Sequence, residues 1–268
     1  MLPLLLCALA AAGPAAGASA PPEDRYPRAA ASYLGEVDGR PVWARAPDAP
    51  RPPASLTKLM TALVAAEAGL DPAAWIEVSR AAARATGSRL GLREGEALRA
   101  EDALLATLVA SANDACLALA EGVAGDAASF VARMNARAEA LGLARTRFAD
   151  PCGHDAPGQR STARDLARLA RAVLALPELR RLVALERATV TTRAGRGIEV
   201  RTSNALLGRV EGARGLKTGF TAKAGRCLAA LVEREGVEVL LVLLDAKDRW
   251  WTAAGLVEAA FDEARGGR

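Results

Sequence analysis

The spacing of hydrophobic and polar positions along the chain changes character twice. Residues 30–37 and 41–45 read as two short strands joined at Asp38-Gly39, a pair that tolerates the left-handed backbone of a tight hairpin. Pro52 and Pro53 then interrupt the chain, and residues 55–67 form a strong helix candidate that opens on a good capping residue, Ser55. From 71 to about 176 the apolar side chains recur mostly at helical spacing, above all over 100–122, 127–141 and 162–176. Strand-like alternation returns at 188–192, 197–201, 214–218, 227–234 and 237–244, followed by a last helix over about 251–264. Strand-forming segments at both ends thus flank a helical insertion. This predicts an α/β (α+β) architecture in which the first hairpin joins the late strands in one mainly antiparallel sheet, with a cleft between sheet and helical lobe.

Composition fits a compact core, since 51% of the 268 residues are hydrophobic. The net charge of +4 is the balance of 35 basic and 31 acidic residues with no long run of one sign, so the surface is mixed and carries no nucleic-acid footprint. Residues 1–20 are apolar, then small, and end in Ala18-Ser19-Ala20, the shape of an export leader. The proline-rich stretch 21–29 reads as a tether, and 30–268 as a single domain with its helical lobe at about 71–176. An exported chain would work in the periplasm or another extracytoplasmic cell-wall space. No later apolar run approaches the roughly 20 residues of a membrane helix, and the polar ending over 261–268 gives no expectation of a stable membrane anchor.

Three cysteines follow the leader: Cys116, Cys152 and Cys227. An odd number leaves one pair at most; Cys116 with Cys152 is one option, while Cys116 also reads as a small core residue or as one that shapes the neighbourhood of Ser111. No paired CxxC or histidine cluster predicts a metal site. The single histidine, His154, falls in the turn-rich stretch Pro151-Cys152-Gly153-His154-Asp155 and is expected to be a solvent-exposed loop residue.

With these limits, a hydrolase is led towards a serine–lysine arrangement. Ser55 and Lys58 lie one helical turn apart, which brings amine and hydroxyl to the same side. A lysine accepts a proton only when neutral, so its pKa must be lowered by burial or by neighbouring positive charge. Ser111-Ala112-Asn113 interrupts an otherwise apolar helical stretch; a hydroxyl and a carboxamide facing a cleft can relay a proton and hold a substrate amide, or simply cap or kink a core helix. Lys217-Thr218-Gly219 ends a strand, where lysine and threonine can bind a terminal carboxylate and glycine leaves room for a substrate backbone. Each motif alone also fits an incidental reading. Their order and contexts together point to acyl transfer.

The set is that of penicillin-binding proteins and serine β-lactamases. Together with Met134-Asn135, Leu141-Gly142-Leu143, Ser161-Thr162-Ala163 and Phe220-Thr221, it resembles the low-molecular-weight D-alanyl-D-alanine carboxypeptidases. The resemblance spans about residues 30–250 and implies the serine β-lactamase and transpeptidase-like fold, no cofactor and no metal. It implies peptidoglycan stem peptides as substrates and β-lactam antibiotics as inhibitors. It makes Ser55 the acylated nucleophile, Lys58 its proton acceptor and Ser111 the relay to the leaving D-alanine. Asn113, Lys217, Thr218 and Gly219 would bind substrate, and the backbone amides of Ser55 and Phe220 would form the oxyanion hole; Arg249 is a further candidate at the carboxylate site. Many relatives carry a second β-rich domain and a C-terminal amphipathic helix, neither of which is expected here. The compact form and Leu243-Leu244-Asp245-Ala246 are also similar to endopeptidases that cleave wall cross-links. A β-lactamase would need a deacylating Glu-x-x-Leu-Asn motif that the sequence lacks, and a catalytically silent wall-binding protein would not need these side chains.

Overall fold

The structure is a computed structural model and describes residues 22–266; the expected leader over 1–20 lies outside the described residues. The chain begins with β1 (Ser32–Val37) and β2 (Arg40–Arg45), and Asp38 and Gly39 between them both have positive φ, as a two-residue hairpin turn of this hand requires. A 3-10 turn (Ala54–Thr57) leads directly into α1 (Lys58–Glu67). The insertion contains β3 (Trp75–Glu77), α2 (Arg80–Ala83), β4 (Ala97–Arg99), α3 (Ala100–Val109), α4 (Asn113–Ala124), α5 (Ala127–Ala140), α6 (Ala163–Leu174) and α7 (Pro177–Val183). After it come β5 (Arg187–Thr191), β6 (Gly197–Arg201), β7 (Ala213–Thr221), β8 (Gly225–Arg234), β9 (Val237–Ala246) and α8 (Arg249–Gly266).

The main sheet is five-stranded and antiparallel, in the order β2-β1-β9-β8-β7. The first hairpin therefore pairs with the last strand, as the sequence predicts, and β7 forms one edge. Both faces are covered. Leu34, Ala229, Leu231, Leu240 and Val242 face the helical lobe, while the alternating Tyr33, Leu228, Ala230, Val239 and Leu241 face α8. Burial on both sides explains why β9 reads as the near-continuous apolar run VEVLLVLLDA. The strands β5 and β6 pair with each other in a separate two-stranded sheet, as do β3 and β4.

Three local departures from the sequence expectation bear on function. Ser55 caps nothing through its side chain: it sits inside the 3-10 turn, and the helix proper starts at Lys58. The hydroxyl is thereby free for other work. The helix expected over 100–122 is broken between α3 and α4, where Ser111 has φ 58°. Over its described part, the expected tether packs instead on the sheet: Glu23 bridges to Trp43, Tyr26 meets the Trp43 ring edge-on at 5.0 Å, and Ala29 and Ala30 are buried. Aromatic contact area outweighs the extended preference of the prolines there.

Candidate active site

The central helix α1 is buried on every face from Lys58 to Ala65 and packs against α3, α4, α5 and α6. A lysine at its first turn is thus carried into the core, while Ser55, three residues earlier, remains half-buried at the cleft. Lys58 Nζ lies 3.2 Å from Ser55 Oγ, 2.6 Å from Asn113 Oδ1 and 2.5 Å from the Cys152 carbonyl oxygen. Burial lowers its pKa from 10.5 to about 7, against the opposing charge of Asp150. Near neutrality a large fraction of the amine is therefore unprotonated. A neutral amine has two hydrogens and one lone pair; with the hydrogens on the two carbonyl oxygens, the lone pair faces Ser55.

Asn113 begins α4, just after the break at Ser111. Its Nδ2 donates to Thr86 O at 2.5 Å and lies 3.2 Å from His154 Nε2, so both ends of the carboxamide are engaged. The His154 Nδ1 lies 3.2 Å from both oxygens of Asp150, which can only accept; that nitrogen bears the hydrogen, and in the neutral ring Nε2 accepts from Asn113. The hydrogen bond to Asp150 raises the pKa of His154, against burial. The expectation of a solvent-exposed loop histidine is corrected here: His154 is half-buried and touches the site, because its loop folds back on α4. The adjacent Asp114 accepts from the backbone amides of Leu90, Gly91 and Leu92 at 2.9 to 3.0 Å, pinning the loop that crosses the cleft floor to the start of α4. Ser111, at the same break, is buried except for 6% of its surface.

The third motif arrives on edge strand β7. Lys217 is fully buried; desolvation, followed by the positive charges of Lys58 and Arg249, holds its pKa well below the ordinary value. Thr218 shares a hydrogen bond with Ser203. Arg249 donates to the carbonyl of Gly219 at 2.7 Å and to that of Cys227 at 3.2 Å, so it backs the strand from behind. The strand approaches the Ser55 turn closely: a Cβ on Gly219 would stand 3.0 Å from Ser55 N and from Ala54 Cβ. Glycine permits this approach, since a larger residue would push β7 away from the nucleophile. Phe220, next along, is exposed at 64%, at the mouth of the cleft.

All three motifs therefore meet at one place. Sequence reasoning missed Cys152, whose carbonyl grips Lys58, and Ser203, which touches Thr218. The turn-rich run around Cys152 was visible, but no local pattern marks a main-chain carbonyl as a partner for a distant lysine. Cys116 and Cys152 are joined in a disulfide with their Cα atoms 5.9 Å apart. This option prevails over that of a free core residue. Cys227 is free and buried, its pKa pushed up to about 11 by desolvation.

A buried lysine beside a half-buried serine, between a helical lobe and the edge of an antiparallel sheet, defines the active-site-serine acyl-transfer class. The chain belongs to the D-alanyl-D-alanine carboxypeptidase family Peptidase_S11, whose pattern matches residues 29–248. It is 30% identical over 218 residues to D-alanyl-D-alanine carboxypeptidase DacF of Bacillus subtilis, covering 79% of this chain and 56% of that protein. It is 34% identical over 252 residues to a D-alanyl-D-alanine endopeptidase of Pseudomonas aeruginosa, covering 91% and 80% respectively. The fold superposes on the crystal structure of a D-alanyl-D-alanine carboxypeptidase from Mycobacterium tuberculosis with a TM-score of 0.82 at 29% identity, covering 94% of this chain and 96% of that one.

Proposed function

We propose that this chain is a serine-type D,D-carboxypeptidase that removes the terminal D-alanine from peptidoglycan stem peptides through an acyl-enzyme on Ser55. The observation that carries the reading is Lys58: buried, its pKa lowered to about 7, and held by two carbonyl oxygens with Ser55 Oγ at 3.2 Å.

Ser55 Oγ attacks the carbonyl carbon of the penultimate D-alanine as its proton passes to Lys58 Nζ. The tetrahedral oxyanion sits between the backbone amides of Ser55 and Phe220, whose segments are brought together by the Gly219 approach; one such donor contributes about 3 kcal/mol to the transition state. Collapse breaks the carbon–nitrogen bond, and Ser111 relays to the departing amine the proton that Lys58 took from Ser55, ending as a neutral hydroxyl beside a neutral lysine. Water then hydrolyses the ester, returning the proton to the serine. Asn113 holds the substrate's peptide group; Lys217 and Thr218 hold the terminal carboxylate. A negative charge beside Lys217 favours the protonated form of that amine, against the burial that lowers its pKa.

A second reading has support in the similarity to the Pseudomonas endopeptidase, which extends over most of both chains. Cleavage of cross-links uses the same acylation and differs only in the leaving amine. Labelling with a fluorescent penicillin, followed by intact mass measurement and a D-alanine release assay, tests the proposal. A stable adduct on the wild type, absent in Ser55→Ala, with D-alanine released from a pentapeptide, is the expected result. An adduct without release shifts the reading to cross-link cleavage, and no adduct at Ser55 rejects the mechanism.

A further inference from the structure

The two short acceptors of Lys58 come from segments far apart in sequence. Asn113 opens α4, and Cys152 lies in the loop before α6. One turn beyond Asn113 on the same helix is Cys116, and its sulfur is bonded to that of Cys152. The cross-link therefore joins the two backbone segments that grip the lysine. Its effect on the lysine follows from the valence of the amine: if both hydrogens are fixed in direction, so is the lone pair. Movement of the Cys152 carbonyl would turn the lone pair from the serine and admit water to an amine whose low basicity comes from desolvation.

We infer that the Cys116–Cys152 disulfide is a positioning element of the acylation machinery, which aims Lys58 at Ser55 by fixing the separation of its two carbonyl acceptors. The loop has other anchors, all non-covalent, and one of them, His154 Nε2 on Asn113 Nδ2 at 3.2 Å, also links the two acceptors' segments. The Asp150 carboxylate accepts from the amides of Cys152, Gly153 and His154; the Thr61 hydroxyl donates to the Pro151 carbonyl; Thr221 on β7 donates to Asp155. Both sulfurs are buried within an otherwise close-packed lobe. Loss of the bond should thus leave the fold cooperative and disturb only the lysine's alignment.

The inference rests on the Ser55–Lys58 reading, and failure of that reading would be seen first, as a wild type that never acylates. The test is Cys116→Ala combined with Cys152→Ala, compared with the wild type in its oxidised form. The measurements are the acylation rate constant and the non-covalent dissociation constant for a β-lactam, across pH, together with the melting transition. The expected result is acylation slowed by roughly tenfold or more, since small misplacements of a reacting group carry losses of this order. The dissociation constant is unchanged, and the acid limb of the rate profile moves to higher pH as the amine regains basicity. Thr61→Val, which leaves the disulfide intact but frees the Pro151 carbonyl, should move rate and limb the same way by a smaller factor. Rates and profiles superimposable on the wild type would overturn the inference. So would loss of cooperative melting in the double variant, because the bond would then serve the whole fold and not the lysine.

Discussion

The two buried lysines of the cleft are provided for differently. Lys58 has a full set of partners within the chain: two carbonyl oxygens that accept its hydrogens in the neutral amine, and the Ser55 hydroxyl facing its lone pair. Lys217, equally buried, has among the described residues a single acceptor, the Thr218 carbonyl at 3.3 Å, and faces the positive charges of Lys58 and Arg249. A buried amine short of acceptors is costly to keep charged, and among the described residues no carboxylate pairs with it. The first lysine belongs to a device that is complete without substrate. The second is an incomplete half, which in the proposed function is matched to an anionic group brought from outside. One side of the cleft is thus built for chemistry and the other for recognition.

The comparison is broken most severely at Lys58. Lys58→Met should slow acylation by about 10²- to 10⁴-fold, the usual span for loss of a general base, while leaving non-covalent β-lactam affinity nearly unchanged. In the wild type the amine with its pKa of about 7 must be neutral to accept the serine proton, so the acylation rate should fall as pH drops through that value and level off above it. The variant lacks this limb; stopped-flow acylation across pH measures both effects. Lys217→Gln keeps a donor and loses the charge, which should raise KM for a peptide ending in a free carboxylate by roughly 10- to 100-fold, the worth of a charge-assisted hydrogen bond. The loss should shrink for the C-terminally amidated peptide, and an equal loss for both would contradict the division of labour. Gly219→Ala inserts a methyl group 3.0 Å from Ser55 N, so β7 must back away from the turn. It should lower kcat by about tenfold through a widened oxyanion site, with little change in the melting temperature.

The parts of this arrangement that depend on local pattern were legible in the sequence. The three-residue spacing of Ser55 and Lys58, the hairpin at Asp38-Gly39 and the edge placement of Lys217 follow from periodicity and turn chemistry, and the sheet topology follows from strands at both ends. At Ser111 the polar interruption was visible, but the positive φ that splits the helix there was not, because surrounding contacts enforce it. Nor was the place of His154 and the Cys152 carbonyl, since both depend on a loop returning to α4 from some 40 residues away in sequence. The segment 22–29 was read from its prolines, although Tyr26 and Trp43 decide where it lies.

The pairing of the first strand with the last also has a meaning in time. Ser32 lies opposite Leu244 and Val37 opposite Val239, so β1 gains its inner neighbour only after a segment about 200 residues further along has been made. Helical contacts within the lobe are local and form early, whereas pairing across such a separation is slow. The edge strand bearing Lys217 hangs from β8, which in turn hangs from β9. Until β9 is in place the strand bearing Lys217 has no sheet to hang from, so a partly folded chain can form the helix of Lys58 and still lack the second wall of its cleft.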